Sequence, residues 1–241
     1  MMAGVKTIGL LGGMSWESSA EYYRLVNERV RELRGGYHSA RTVLYSVDFA
    51  DFEAMQAEGR WDDAGRELNR AARGLEAAGA DVVVLCTNTM HKVADQLTDG
   101  LGIPLLHIAD TTAAAIKAGH LERVGLLGTG FTMTQPFYRE RLAAHGLDVL
   151  VPDEADRETV HRVIYDELIH GVVTEDSRAR YREVIARLVE AGANGVIYGC
   201  TEIGLLVGPE DSPVPTFPTA RLHAEAAVNY ALGEISLPPA T

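Results

Sequence analysis

The chain has 241 residues, 46% of them hydrophobic and 23% charged, a globular composition with length for one large domain or two of ordinary size. Its net charge of −12 repels nucleic acid and anionic lipid surfaces and excludes both as partners, while leaving an anionic small substrate open. Two cysteines, Cys86 and Cys200, are too few for a disulfide-stapled secreted fold. Residues 1–13 lack the form of a signal peptide, and no apolar stretch reaches membrane-spanning length. The expectation is a cytoplasmic protein with reduced thiols.

Short β-branched runs alternate with longer amphipathic stretches. A buried strand is predicted over 7–11, ending at Gly12-Gly13, then a helix over 16–33 with Ser15 as N-cap and Glu17 and Glu21 in its early turns. A strand follows over 42–47, then a helix over 62–78 whose Leu68, Ala71, Ala72 and Leu75 share one face. The continuous apolar run over 81–86 suits a strand covered on both faces of a parallel sheet. A strand over 105–108 and a helix over 111–118 complete the first series.

The same grammar then restarts. Strands are predicted over 124–127, 149–151, 195–198 and 215–217, and helices over 137–145, 156–168, 177–191 and 221–232. The tail, 237–241, reads as loose. Such alternation implies an α/β fold with mostly parallel sheets and helices on both faces.

The two series repeat each other. Ile8-Gly9-Leu10-Leu11-Gly12 matches Val124-Gly125-Leu126-Leu127-Gly128. The run from Gly79 to Thr87 matches the run from Gly192 to Cys200. Gly12 and Thr87 are 75 residues apart, Gly128 and Cys200 are 72 apart, so the chain reads as a duplicated α/β unit. The expected division is 1–112 plus 218–241 for one domain and 113–217 for the other. In this alignment Thr87, not Cys86, is the counterpart of Cys200. Both lie just past the carboxyl end of a buried parallel strand, where open α/β sheets place ligands. Halves related by a pseudo-twofold axis would bring two proton-handling groups to opposite faces of one small substrate.

Four segments carry polar groups at such strand ends. Thr87-Asn88-Thr89 and Cys200-Thr201-Glu202 offer hydroxyl and amide donors to a carboxylate at a helix N-terminus; ordinary N-capping is the competing reading of each alone. Gly12-Gly13-Met14-Ser15 is a second candidate anion-binding turn, although glycines at a strand–helix turn need no ligand. Gly128-Thr129-Gly130-Phe131-Thr132 starts like a dinucleotide fingerprint but lacks its third glycine, which argues against a nucleotide. The eight histidines form no metal-ligand pair. His91 reads equally as a group polarising the first site and as a satisfied core histidine. Cys86 reads as a small buried residue ending a strand.

With Gly12-Gly13-Met14-Ser15-Trp16, Thr87-Asn88-Thr89-Met90-His91 and Gly199-Cys200-Thr201-Glu202-Ile203 in place, the chain resembles the aspartate/glutamate racemase family over nearly its whole length. The resemblance implies two Rossmann-like domains with the active site in the cleft between them, a homodimer, and catalysis without pyridoxal phosphate or metal. It also implies two cysteines flanking the substrate α-carbon. The second falls at Cys200. The first falls at Thr87, a departure seen in members that prefer L-aspartate and L-glutamate. A single cysteine is also the pattern of the related arylmalonate decarboxylases, so a decarboxylase or isomerase of small dicarboxylates with the same fold is a second reading, and a non-catalytic amino acid-binding protein would keep the cleft as well.

On this reading Cys200 is the thiolate base, its pKa lowered by the following helix N-terminus, and Thr87 is its partner. Met14, Ser15, Asn88, Thr89, Thr129, Thr132 and Thr201 would stabilise the charge that builds on the α-carboxylate. By resemblance, Gln56 and His170 would receive the side-chain carboxylate. Glu202 lies close enough to Cys200 to oppose thiolate formation.

Overall fold

The computed structural model describes residues 5–237. They divide into two compact units: one runs to His107 and resumes at His223, and the other is Ile108–Leu222.

The first unit contains β1 (Ile8–Gly12), α1 (Trp16–Arg34), β2 (Thr42–Ser46), α2 (Phe49–Ala57), α3 (Trp61–Ala77) and β3 (Val82–Leu85). A 3-10 turn, Thr89–Val93, leads to α4 (Ala94–Thr98) and β4 (Leu105–Leu106). The strands form a parallel sheet in the order β2-β1-β3-β4. Ser15 caps α1 as expected, accepting from the Ser18 amide. The four residues predicted to share a face of α3 are all buried and join one core with Leu11, Val83, Leu85 and Leu97.

The second unit contains α5 (Ile108–Ala118), β5 (Arg123–Gly128), α6 (Gly130–Thr134), α7 (Pro136–Ala144), β6 (Asp148–Leu150) and α8 (Glu154–Asp166). A 3-10 turn Leu168–His170, α9 (Glu175–Glu190), β7 (Val196–Gly199) and α10 (Ile203–Leu206) follow. After a 3-10 turn Pro209–Asp211 come β8 (Thr216–Pro218) and α11 (Thr219–Ala231), which begins in this unit and ends in the first. This sheet is also parallel, in the order β6-β5-β7-β8.

The sheets repeat in register as well as in order. Gly9, Leu10 and Leu11 pair with Val83, Val84 and Leu85; their counterparts Gly125, Leu126 and Leu127 pair with Val196, Ile197 and Tyr198. The turns into β3 and β7 are built alike, with Ala80 N donating to Leu75 O and Ala193 N to Leu188 O, each at 3.0 Å. Those leucines press against the same strand position. A Cβ on Gly9 would lie 3.3 Å from Leu75 Cδ1, and one on Gly125 2.9 Å from Leu188 Cδ1. Glycine at both positions lets the helix approach the sheet.

The structure adds elements that periodicity did not reveal. α2, α4, α6, α10 and the three 3-10 turns run three to nine residues each, too short for most of them to show an amphipathic repeat. The strand expected over 105–108 is only Leu105–Leu106, because Ile108 opens α5. The tail over 237–241 lies, beyond its first residue, outside the described residues. Among the described residues no helix is long and apolar enough to cross a membrane.

One buried carboxylate, held by two partly exposed arginines, ties the segment after α10 to α9. The Asp211 side chain is fully buried and accepts from Arg178 at 2.8 Å, from Arg182 at 2.5 Å and from the Gly208 amide at 2.8 Å. Burial alone would raise its pKa, but these donors together outweigh burial and hold it at about 2. A carboxyl depressed in the folded state stabilises above its unfolded pKa and loses that contribution as pH falls through the folded one. Asp211→Asn should therefore cost about 1–2 kcal/mol at neutral pH. In urea unfolding the gap between variant and wild type should narrow as pH falls from 4 towards 2; a gap independent of pH would refute the charge-based account.

Candidate active site

In each sheet the first strand in chain order sits beside the third, and the connections leave those two strands toward opposite edges. That divergence opens a crevice at their carboxyl ends, the switch point where α/β sheets hold ligands. In the first unit the segments at this point are the β1–α1 turn and the residues after β3. In the second they are the β5–α6 turn and the residues after β7.

At the first switch point Gly12 and Gly13 let the turn fold over the sheet. Gly13 has φ +100°, and a Cβ there would meet the Val47 carbonyl. Its amide donates to Ser19 Oγ at 2.7 Å, and Ser19 Oγ donates to the Ser15 carbonyl at 2.9 Å. The turn therefore closes on its own helix, with Met14 and Ser15 buried. Ser19 was not singled out from the sequence; its place one turn beyond the Ser15 cap was the available signal.

After β3, Cys86 and Thr87 take opposite environments. Cys86 is fully buried, and burial pushes its thiol far above the usual range. Thr87 is half-exposed. Its amide donates to Leu85 O at 2.9 Å, and its carbonyl accepts from His91 Nδ1 at 2.7 Å. Asn88 and Thr89 are buried beside it. Gln56, from α2, also arrives here: it is buried, with Nε2 3.2 Å from Met90 Sδ. The structure thus brings Gln56 from a distant part of the sequence to the Thr87-Asn88-Thr89-Met90 segment.

In the second unit Thr129 caps α6, accepting from the Thr132 amide at 3.4 Å, and the two hydroxyls are 3.2 Å apart. Thr132 is completely buried. The Gly130 amide donates to His161 Nδ1 at 3.2 Å, a contact the sequence did not suggest. Accepting there places the neutral ring's proton on Nε2, and burial lowers the pKa of His161. Cys200 is half-exposed like its counterpart Thr87, as is Thr201. His170 stands exposed at the end of its 3-10 turn, whereas Ile169 packs on the apolar cluster that Cys200 also joins.

The electrostatics of Cys200 reverse the sequence-based expectation. The helix after it, α10, has four residues, and the segment after Thr87 is a 3-10 turn, so neither sums enough aligned peptides for a strong macrodipole. Burial pushes the Cys200 thiol well above its usual range. The charge of Glu202 adds to this, as does the hydrogen bond from Sγ to Glu202 Oε2 at 2.9 Å; the amides of Glu202 and Thr201 oppose it more weakly. Glu202 is itself buried. The resting residue is a thiol bonded to a carboxylate. Among the described residues, no group of three or more His, Cys, Asp or Glu side chains is placed to hold a metal ion.

Comparison with known proteins agrees with this architecture. Residues 11–227 match the model of the Asp/Glu/hydantoin racemase family. A candidate Asp/Glu racemase from Yersinia pestis is 54% identical, with a TM-score of 0.89, over 94% of this chain and 99% of that one. An aspartate racemase homologue from Pyrococcus horikoshii is 33% identical over the same shares, with a TM-score of 0.84. The broad-specificity amino-acid racemase RacX of Bacillus subtilis is 21% identical over 92% of this chain and 96% of its own length. The repeated sheets, the switch-point segments and these likenesses lead to one conclusion: the chain belongs to the Asp/Glu/hydantoin racemase family and is, by that membership, an isomerase.

Proposed function

We propose that this protein racemises acidic amino acids, with L-aspartate and L-glutamate as its substrates, by moving the α-proton between Cys200 on one face of the α-carbon and Thr87 on the other. The observation that carries the reading is the repeat of register. Thr87 and Cys200 occupy one structural position in two copies of one unit, each half-exposed beyond a buried strand at a switch point. The substrate class is supported by the Yersinia pestis and Pyrococcus horikoshii relatives. A cytoplasmic homodimer belongs to the same reading.

The chemistry must start from a protonated thiol. Glu202 takes the Cys200 proton along the existing hydrogen bond, and the thiolate removes the α-proton of the L-enantiomer. The pair carries one negative charge until the α-proton moves, when that charge passes to the substrate, so no second charge is buried; Glu202 then releases its proton to solvent and the resting pair is restored. Buried hydroxyls and amides of the switch-point turns stabilise the enediolate forming on the α-carboxylate. Thr87 gives its hydroxyl proton to the opposite face of the α-carbon and recovers one from solvent. Of the two groups expected for the side-chain carboxylate, Gln56 is the better placed, because it is buried beside Met90 while His170 is exposed.

A hydroxyl donates a proton to a carbanion readily but is a poor base, so Thr87 limits the reverse direction. Because enantiomers are equal in free energy, kcat/KM must nevertheless match in both directions. The consequence is a slow enzyme that exchanges the α-proton of its L-substrate more often than it inverts it.

Proton NMR of L-aspartate and L-glutamate in D2O, with chiral analysis of the product, tests this. The α-proton signal should decline with D-enantiomer appearing. Cys200→Ala should reduce exchange at least about a hundredfold; retained exchange would remove Cys200 from the role of base. Thr87→Cys should raise turnover of the D-enantiomer by about tenfold or more. Glu202→Gln removes the charge that disfavours the thiolate, so the pH midpoint of Cys200 alkylation by iodoacetamide should move down, with Cys86 unreactive in the native protein. An unmoved midpoint would mean that burial alone governs the thiol.

A further inference from the structure

The repeat makes one difference between the units visible. Four residues beyond Cys200 stands Gly204, and four residues beyond Thr87 stands His91. The Cys200 carbonyl is taken by a backbone amide, Ile203 N at 3.2 Å. The Thr87 carbonyl is taken instead by an imidazole, His91 Nδ1 at 2.7 Å. A carbonyl only accepts, so this nitrogen of His91 carries a proton.

His91 is held by a frame of rings. It is 97% buried, its ring centroid lies 4.5 Å from that of His107 and 5.9 Å from that of His223, and the His223 ring meets Tyr22 edge-on. His223 is locked as well. Its Nε2 donates to the Leu106 carbonyl at 2.8 Å, and its Nδ1 accepts from Tyr22 OH at 2.9 Å. Burial, partly offset by the bond to Leu106, lowers the His223 pKa to about 3, so this ring stays neutral. His107 and His223 are also the residues at which the chain leaves the first unit and returns to it.

We propose that His91 is a positioning residue for Thr87, resting on the racemase reading above. With its amide on Leu85 O and its carbonyl on His91, the Thr87 backbone is pinned from both sides, which sets the direction of its hydroxyl. The frame of His107, His223 and Tyr22 keeps the imidazole in place. The Cys200 contacts are with Glu202 and Ile203, so loss of His91 is expected to damage the Thr87 half of the reaction.

The test separates the two halves. α-Proton exchange from the L-substrate reports on Cys200, and inversion to the D-enantiomer requires Thr87 as well. His91→Phe keeps a ring against His107 and removes the donor; His91→Asn keeps a donor at nearly the same distance from the backbone. In His91→Phe, inversion should fall about tenfold or more while exchange and KM stay within about twofold, and His91→Asn should recover most of the inversion. Should His91→Phe fail to fold, as read by circular dichroism, His91→Leu takes its place against His91→Asn. Exchange and inversion falling together in every variant, or neither falling, would overturn the positioning role alone. A wild-type protein that exchanges neither amino acid would overturn the racemase reading and this inference with it.

Discussion

Each candidate switch point depends on a parallel strand pair, β1 with β3 in one unit and β5 with β7 in the other, at the same register. Parallel strands bring their carboxyl ends to the same side of a sheet, and the divergence of the outgoing connections leaves those ends uncovered. Glycines at 9 and 125 let Leu75 and Leu188 press onto the sheet, which seats the helices that lead into β3 and β7. Since the chain emerges from each strand at the same place, Thr87 and Cys200 hold equivalent positions although their chemistry differs.

That equivalence is one of backbone, and the side-chain surroundings diverge. Around Cys200 the dominant influences are desolvation and a buried carboxylate, both of which favour the thiol. A resting thiol is protected from adventitious oxidation, because reactivity follows the thiolate fraction. In the mechanism proposed above, its cost is that deprotonation is shared with Glu202 through the Sγ–Oε2 hydrogen bond. Around Thr87 the surroundings act on its backbone, through Leu85 O and His91 Nδ1. The switch point of the second unit is organised around a proton and that of the first around a backbone direction.

Most of the fold was legible because long elements carry their own pattern. The buried runs of β3 and β7 and the apolar face of α3 announce themselves by composition and by 3.6-residue spacing. The short elements were not legible. α6 and α10 have five and four residues, and packing holds them where propensity alone would not. α2 escaped notice for a different reason: its nine residues follow β2 closely, and only the Asp48 cap marks its start. Yet α2 delivers Gln56 to the Thr87 segment.

The sequence by itself determined the duplication, the two parallel sheets and the pairing of Thr87 with Cys200, because these follow from local pattern repeated at nearly equal spacing. It did not determine the ionisation of Cys200. The anticipated helix N-terminus is a single turn, and the buried carboxylate of Glu202 outweighs it. Nor did it show that His91 bonds the Thr87 carbonyl within a frame closed by His223, 132 residues further along the chain. Charge states and positioning depend on which groups meet in a desolvated space, and that meeting is decided only when distant segments pack.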